Sequence, residues 1–202
     1  MIDRPVLRTI RRVCVFCGSN AGVDAAYRTA ADEMGRQIAR RGWGLVWGGG
    51  SVGLMGVLAD AALAAGGHVT GVIPKMLATK ELLHPRATEM HIADSMHARK
   101  ALMEELADAF VALPGGYGTF EELLEIVTWT QLGLHAKPIG LLNVRGYFDR
   151  LTGFFDHAIG EGFIKAKQRS LVVEAATPGE LLERLVDHEM PQVKKWITVN
   201  EV

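Results

Sequence analysis

The chain has almost no net charge, only two cysteines and no long apolar run. Its 202 residues carry a formal net charge of −1, with 22% charged and 49% hydrophobic side chains. A charge balance this even gives no support to a nucleic-acid partner, and no run approaches the length of a membrane span. Residues 1–12 contain four arginines but no apolar core of a signal peptide, so we expect a cytoplasmic protein without a membrane partner.

The cysteines and histidines show no spacing typical of a redox or metal site. Cys14 and Cys17 form a Cys-x-x-Cys, but Cys14 lies inside the apolar run of residues 13–16 and not at the start of a helix. We therefore expect two small buried hydrophobic residues. The histidines lack a ligand pattern such as His-Glu-x-x-His, so we predict no metal site.

Apolar runs alternate with helical periodicities along the whole chain. Strands are predicted at residues 13–17, 43–47, 69–73, 89–92, 109–113, 138–143 and 171–174. Helices are predicted at residues 24–41, 54–65, 95–108, 119–132, 148–160 and 178–188. Strands that are apolar throughout favour a parallel sheet covered on both faces. The sequence thus predicts an α/β fold with a doubly wound, mostly parallel sheet, a Rossmann-like three-layer sandwich.

We find no internal repeat and no linker. We therefore expect one nucleotide-binding domain over residues 1–202, with peripheral tails at residues 1–11 and 191–202. In such a fold, ligands bind beyond the carboxyl ends of the strands.

A first glycine cluster, residues 48–53, follows the second predicted strand. Gly48, Gly50 and Gly53 match the Gly-x-Gly-x-x-Gly dinucleotide fingerprint as a pattern. However, the cluster does not follow the first strand, and the next strand ends at Pro74 without an acidic residue that could hold a ribose. The pattern therefore disfavours binding of an NAD-type cofactor.

A second glycine cluster, residues 114–118, is called the glycine loop below. Its three glycines allow the main chain to approach a ligand closely. The helix predicted from Thr119 would add the N–H groups and the positive dipole end of its first turn. The glycine loop therefore indicates a ligand that carries phosphate.

The helix behind the glycine loop is apolar nearly all round, so we expect it to be buried. It also carries Glu121, Glu122 and Glu125, and buried carboxylates usually need a partner. An alternative is that Glu122 forms a capping box with Thr119 and has no further role.

The helix at residues 95–108 supplies candidate cations. Arg99 lies on the same helical stripe as Met96 and Met103, so we expect it to point inward and to face Glu122 or a ligand phosphate. For Lys100, two roles remain open: a place in the site, or an ordinary surface ion pair with Glu104 at i,i+4 spacing.

The residues of the glycine loop belong to a longer motif. Residues 114–122, Pro-Gly-Gly-Tyr-Gly-Thr-Phe-Glu-Glu, resemble the Pro-Gly-Gly-x-Gly-Thr-x-x-Glu signature of the LOG (Lonely Guy) family, the cytokinin riboside 5′-monophosphate phosphoribohydrolases. Residues 96–100, Met-His-Ala-Arg-Lys, resemble the companion motif of that family. Residues 17–19, 48–56 and 128–129 also fit, so the resemblance runs from about residue 13 to residue 189.

The resemblance implies hydrolysis of the N-glycosidic bond of adenosine 5′-monophosphates, preferably N6-substituted, to a free base and ribose 5-phosphate. The catalytic pair of the family would fall on Arg99 and Glu122. The implied nucleotide contacts are Glu81, Lys100, Gly116, Tyr117, Gly118, Thr119, Glu121 and Thr128. To these we add Ser19, Gly49 and Gly115, which lie in the glycine-rich turns after predicted strands. No metal or redox cofactor is implied, and a homodimer with the site near its interface is expected.

Two other functions remain open from the sequence. A non-catalytic sensor of the same fold would bind nucleotides through the glycine loop without cleaving them. Members of this family are often labelled lysine decarboxylases, and a pyridoxal-phosphate decarboxylase would need a Schiff-base lysine. Lys75, Lys80, Lys100 and Lys137 have no sequence context that marks one of them for this role.

Overall fold

The computed structural model describes residues 9–79 and 82–191 and contains a seven-stranded sheet within them. The strands are β1 (Arg12–Phe16), β2 (Gly44–Trp47), β3 (Val69–Pro74), β4 (Glu89–Ala93), β5 (Ala109–Ala112), β6 (Ile139–Leu142) and β7 (Val172–Ala175). Their order is β4-β3-β2-β1-β5-β6-β7, and every adjacent pair is parallel. The predicted parallel sheet is confirmed.

Six α-helices cover the two faces of the sheet in the described part of the chain. They are α1 (Ala25–Arg40), α2 (Gly53–Ala64), α3 (Met96–Leu106), α4 (Tyr117–Leu132), α5 (Asp149–Gly160) and α6 (Pro178–Asp187). Short 3₁₀ turns lie at Lys75–Leu77, Val144–Gly146 and Ala166–Leu171. None of the helices within residues 9–79 and 82–191 has the length and hydropathy needed to cross a membrane.

The side chains of successive strand residues point to opposite faces of the sheet, so they pack into two separate hydrophobic cores. Val13 and Val15 pack with α1, α2 and α6 on one face, whereas Cys14 and Phe16 pack with α3 and α4 on the other. The result is the predicted three-layer sandwich. Ile10, within the segment expected to be a peripheral tail, is also buried in the first core.

Helix α4 differs from the prediction in two respects. It begins at Tyr117 and not at Thr119, because Gly116 serves as its N-cap and both Tyr117 and Gly118 adopt helical geometry. It is also not buried all round: Thr119, Leu123, Ile126 and Thr130 are buried, whereas Leu124 is 41% exposed. Apolar residues do surround most of the helix, but the rest of the chain covers only one of its faces.

The strand order places a topological switch point between β1 and β5. The chain builds β2, β3 and β4 outward on one side of β1, then returns through α3 to place β5 on its other side. The loops that leave β1 and β5 therefore diverge, which opens a crevice at the carboxyl ends of these strands.

Candidate active site

A cleft of about 260 Å³ occupies this crevice. The turn after β1 contributes Ser19, and the glycine loop contributes Gly115 and Gly116. Tyr27 of α1 and Tyr147, which precedes α5, form aromatic walls. Three of the residues predicted to contact a nucleotide thus line one cleft, at the place where the fold predicts a ligand.

The glycines of this region permit close contacts between loops. A Cβ at Gly115 would overlap the Thr119 hydroxyl and would lie 2.8 Å from the main-chain N of Gly18. Gly18 N donates to the carbonyl of Pro114 over 3.1 Å, which joins the loops after β1 and β5. Gly53 has a φ of +59° and lies against the main chain of Ser19. The close approach of three backbone segments therefore requires residues without a Cβ.

Gly49 is not among the residues that line this cleft. It is buried with a φ of +75°, and a Cβ there would lie 3.1 Å from Met90 Sδ and 3.2 Å from Ile73 Cβ. Its neighbours thus belong to the β3 and β4 side of the sheet. Packing and backbone conformation account for this glycine.

Arg99 and Glu122 form a nearly buried ion pair between α3 and α4. Arg99 Nη1 donates to Glu122 Oε1 over 2.7 Å, and each side chain is only 12% exposed. Arg99 Nε also donates to the carbonyl of Val72 over 3.0 Å, within β3. A Cβ at Gly48 would overlap Arg99 Nη2, so this glycine leaves room for the guanidinium. The structure brings together the two residues that the sequence predicted to face each other.

The electrostatics of the pair are set mainly by burial. Burial raises the pKa of Glu122 above its usual 4.5, and the charge and hydrogen bond of Arg99 oppose that rise. The pair lies near the buried thiols of Cys14 and Cys17. Burial raises the pKa of each thiol above its ordinary value. Both cysteines are therefore neutral buried residues, as predicted.

The alternative in which Glu122 only caps its own helix is wrong. The N-cap is Gly116, which has no side chain, and no side-chain capping bond forms at the start of α4. Thr119 is the third residue of the helix and is 3% exposed. Glu122 lies too far into the helix to cap it and bonds to Arg99 instead.

Lys100 pairs with α4 and not with Glu104 on its own helix. Its ammonium donates to Glu121 and, over 2.9 Å, to Glu125, and its side chain is only 8% exposed. Burial opposes the charge, but the hydrogen bonds to Glu121 and Glu125 outweigh it and raise the pKa of Lys100. Glu104 instead accepts from Lys137. The surface-pair alternative is therefore wrong, because α3 packs with this side against α4.

The predicted contacts Tyr117, Gly118 and Thr128 are not among the residues that line the cleft. Tyr117 is 94% exposed at the first turn of α4, beside the exposed Gly118. Thr128 lies in a separate groove and donates its hydroxyl to the carbonyl of Leu124 over 2.7 Å. Glu81 lies outside the described residues.

Two contacts in this region were not predicted, one made by Gly48 and one by Tyr147. Gly48 accommodates the Arg99 guanidinium, and Tyr147 donates its hydroxyl to the carbonyl of Gly115 in the glycine loop. The only available signal for Tyr147 was an aromatic residue soon after the end of a predicted strand. No group of three His, Cys, Asp or Glu side chains in residues 9–79 and 82–191 is arranged to hold a metal ion.

Fold and site together define a Rossmann-like α/β protein with a glycine-lined cleft at its switch point and a buried arginine–carboxylate pair between the adjoining helices. The family described as "Possible lysine decarboxylase" matches residues 55–185. Curated relatives of about 50% identity are cytokinin riboside 5′-monophosphate phosphoribohydrolases. The chain belongs to this family, the LOG family.

Two relatives illustrate the similarity. The cytokinin riboside 5′-monophosphate phosphoribohydrolase LOG1 of Arabidopsis thaliana is 50% identical over 178 residues, which cover 88% of this chain and 84% of the relative. A probable enzyme of the same name, LOGL1 of Oryza sativa subsp. japonica, is 54% identical over 174 residues, which cover 86% and 78%.

Solved structures confirm the architecture. The molybdenum cofactor carrier protein of Chlamydomonas reinhardtii superimposes with a TM-score of 0.67 at 24% identity, covering 88% of this chain and 98% of that protein. The molybdenum cofactor binding protein of Rippkaea orientalis gives 0.66 at 21% identity, covering 86% and 93%. At this level of identity the likeness shows a shared fold and carries no functional argument.

Proposed function

We propose that this protein hydrolyses the N-glycosidic bond of adenosine 5′-monophosphates, with N6-substituted forms preferred, to a free base and ribose 5-phosphate. The observation that carries the proposal is the nearly buried Arg99–Glu122 pair, whose carboxylate lies in the helix that follows the glycine loop. Support comes from relatives of about 50% identity that are named for this reaction.

Glu122 is the proposed centre of the chemistry. Cleavage of the bond between the sugar C1′ and the base develops positive charge on the sugar, which a nearby carboxylate stabilises. A carboxylate whose pKa burial has raised is also a stronger base, so it suits a group that orients the attacking water. The water oxygen bonds to C1′, and the electron pair of the broken bond leaves with the base. One proton of the water passes to the departing base, and the other stays on the new C1′ hydroxyl.

Arg99 is the proposed electrostatic partner of this carboxylate. Guanidinium groups remain protonated at neutral pH, so Arg99 is a poor proton donor but a stable positive charge that can hold a carboxylate in place. Its bonds to Glu122 and to the Val72 carbonyl fix the carboxylate between α3 and α4. Lys100 would hold the carboxylate of the adjacent residue, Glu121, in the same way.

The glycine loop is the proposed site of the 5′-phosphate. Gly115 and Gly116 line the cleft, and the first main-chain N–H groups of α4 follow them at Tyr117 and Gly118. The free amides and dipole of a helix N-terminus favour an anion. Ser19 lines the cleft and Thr119 lies in the first turn of α4, so we include both among the nucleotide contacts, together with Glu81 from the family resemblance.

A homodimer is the proposed assembly. The outer face of α4 borders a groove of about 150 Å³ whose lining includes Leu124, Val127 and Phe155. Phe154 and Phe163 are 63% and 87% exposed. A second copy that covered this face would bury these side chains and could bring the Thr128 of one protomer near a nucleotide site. Size-exclusion chromatography with light scattering tests this: we expect a dimer, which Leu124→Glu weakens, and a monomeric wild type would contradict it.

The even charge balance supports the proposal that the protein has no nucleic-acid partner, and the expected cytoplasmic location also stays a proposal. Fractionation of cells expressing a tagged chain and a nucleic-acid gel-shift assay test them. A membrane-bound or secreted chain, or a specific shifted band, would contradict the respective proposal.

A pyridoxal-phosphate decarboxylase is poorly supported by the described lysines. A Schiff-base lysine must lose its proton, which a lowered pKa assists. The carboxylates of Glu121 and Glu125 raise the pKa of Lys100 instead, and Lys137 is engaged by Glu104.

Incubation with AMP and with isopentenyladenosine 5′-monophosphate tests the proposed function. We expect the free base and ribose 5-phosphate from both monophosphates, and no base from the matching nucleosides. Tight nucleotide binding without release of base would instead identify a sensor.

A further inference from the structure

Tyr147 joins the turn after β6 to the glycine loop. Its hydroxyl donates to the carbonyl oxygen of Gly115, and its ring lines the same cleft. The side chain is about one-third exposed, so its hydroxyl makes this bond at the edge of the cleft and not within either core. The family motif at residues 114–122 includes Gly115 but not Tyr147.

The bond constrains more than one atom of the loop. The Gly115–Gly116 peptide is planar and trans, so its N–H and its carbonyl point in opposite directions. Holding the Gly115 carbonyl therefore also fixes the direction of the Gly116 N–H, immediately before α4. Glycine on both sides of this peptide gives it unusual freedom to rotate, and that is where an external hydrogen bond has most effect.

Tyr147 is itself held from several directions. Its ring meets Tyr27 edge-on at 5.7 Å and the fully buried Phe148 edge-on at 5.1 Å. The preceding turn contains Arg145 at a φ of +52°, a conformation that is uncommon for residues other than glycine. Arg145 Nε pairs with Asp24 Oδ2 over 2.9 Å, and Asp24 also caps α1. The strained turn is thereby tied to the opposite wall of the cleft.

We propose that Tyr147 is a positioning residue for the 5′-phosphate, which acts by holding the Gly115–Gly116 peptide in its phosphate-binding orientation. This proposal rests on the function proposed above. It assigns to Tyr147 a role in affinity for the phosphate-bearing part of the substrate and none in the bond-breaking step at Glu122.

Tyr147→Phe tests the proposal because it removes only the hydroxyl. Loss of one such hydrogen bond is expected to raise KM for AMP by about five- to tenfold and to leave kcat within about twofold. Affinity for ribose 5-phosphate, measured by calorimetry, should fall by the same factor, whereas affinity for adenine should not change.

Thr152→Val is the matched control for a merely structural effect. Thr152 is buried in α5 and donates its hydroxyl to the carbonyl of Phe148 over 3.2 Å, away from the cleft lining. This variant should melt at a lower temperature with unchanged KM and unchanged affinity for ribose 5-phosphate.

Two results would overturn the proposal: an unchanged ribose 5-phosphate affinity in Tyr147→Phe, or a loss confined to kcat. If wild-type protein released no base from AMP, the proposed function would fail. The ribose 5-phosphate measurement would still decide the role of Tyr147, because it needs no turnover.

Discussion

Replacement of Glu122 by Gln removes one negative charge while it preserves the shape of the side chain. The amide oxygen can still accept the hydrogen bond that Arg99 Nη1 donates over 2.7 Å. What is lost is the interaction between the carboxylate and the positive charge that develops on the sugar. Because the Glu122 side chain is only 12% exposed, that interaction is weakly screened.

The size of the effect follows from this environment. At about 4 Å and an effective dielectric constant of about 20, two unit charges interact by about 4 kcal/mol. Loss of a preorganised electrostatic contact of this kind lowers kcat by about 10²- to 10³-fold. Since the change acts on the transition state, KM for AMP should stay within about threefold of wild type.

The assay is release of adenine from AMP, followed by chromatography at saturating substrate. Glu105→Gln is the matched control because it removes an exposed carboxylate of α3 and should turn over normally. In wild type, kcat/KM should also fall with acidification, with a midpoint above 4.5, because the carboxylate is the active form and its pKa is raised. Turnover of Glu122→Gln within threefold of wild type would refute the assigned role.

Three further perturbations test the surroundings of the site. Arg99→Ala leaves the nearly buried Glu122 carboxylate without its partner, so the free energy of unfolding should fall by about 3–5 kcal/mol in urea or thermal unfolding. AMP binding and turnover should also weaken, and unchanged kinetics would remove Arg99 from the site. Gly48→Ala should displace the guanidinium and lower kcat/KM about tenfold or more, whereas Gly153→Ala, which meets open space, should not; equal kinetics for both variants would contradict the contact. Burial lowers the pKa of His135 from 6.5 to about 4, so the neutral imidazole stabilises the fold above pH 6.5. This contribution of about 1–3 kcal/mol is lost as the pH falls from 6.5 to 4. Urea titrations across that range should show a smaller pH dependence in His135→Gln, and an equal dependence would count against the buried neutral histidine.

Most of the sheet was predictable because the central strands are apolar on both faces, whereas the edge strand β4 is only partly buried. The runs at residues 13–17 and 109–113 could only be strands between two helical layers, and both are central in the sheet. Element ends were less predictable. The start of α4 was missed because three glycines within four residues are typical of a loop, although helical geometry at Tyr117 and Gly118 follows from a glycine N-cap.

The partners within the site depend on helix packing, which periodicity defines only in part. The stripe of α3 indicated correctly that Arg99 points inward. It did not indicate that Lys100 faces α4, since an i,i+4 partner was available on the same helix and the angle between two helices is not encoded in either alone. The bond from Tyr147 to Gly115 joins residues 32 positions apart, and an aromatic residue after a predicted strand does not indicate which loop it contacts.

The most direct test of the central claim is chromatography of purified protein after separate incubation with AMP, isopentenyladenosine 5′-monophosphate and the two matching nucleosides. The account predicts free base and ribose 5-phosphate from the monophosphates alone, with the faster rate for the isopentenyl form. Binding of both monophosphates without release of base would contradict it and leave a nucleotide sensor of the same fold.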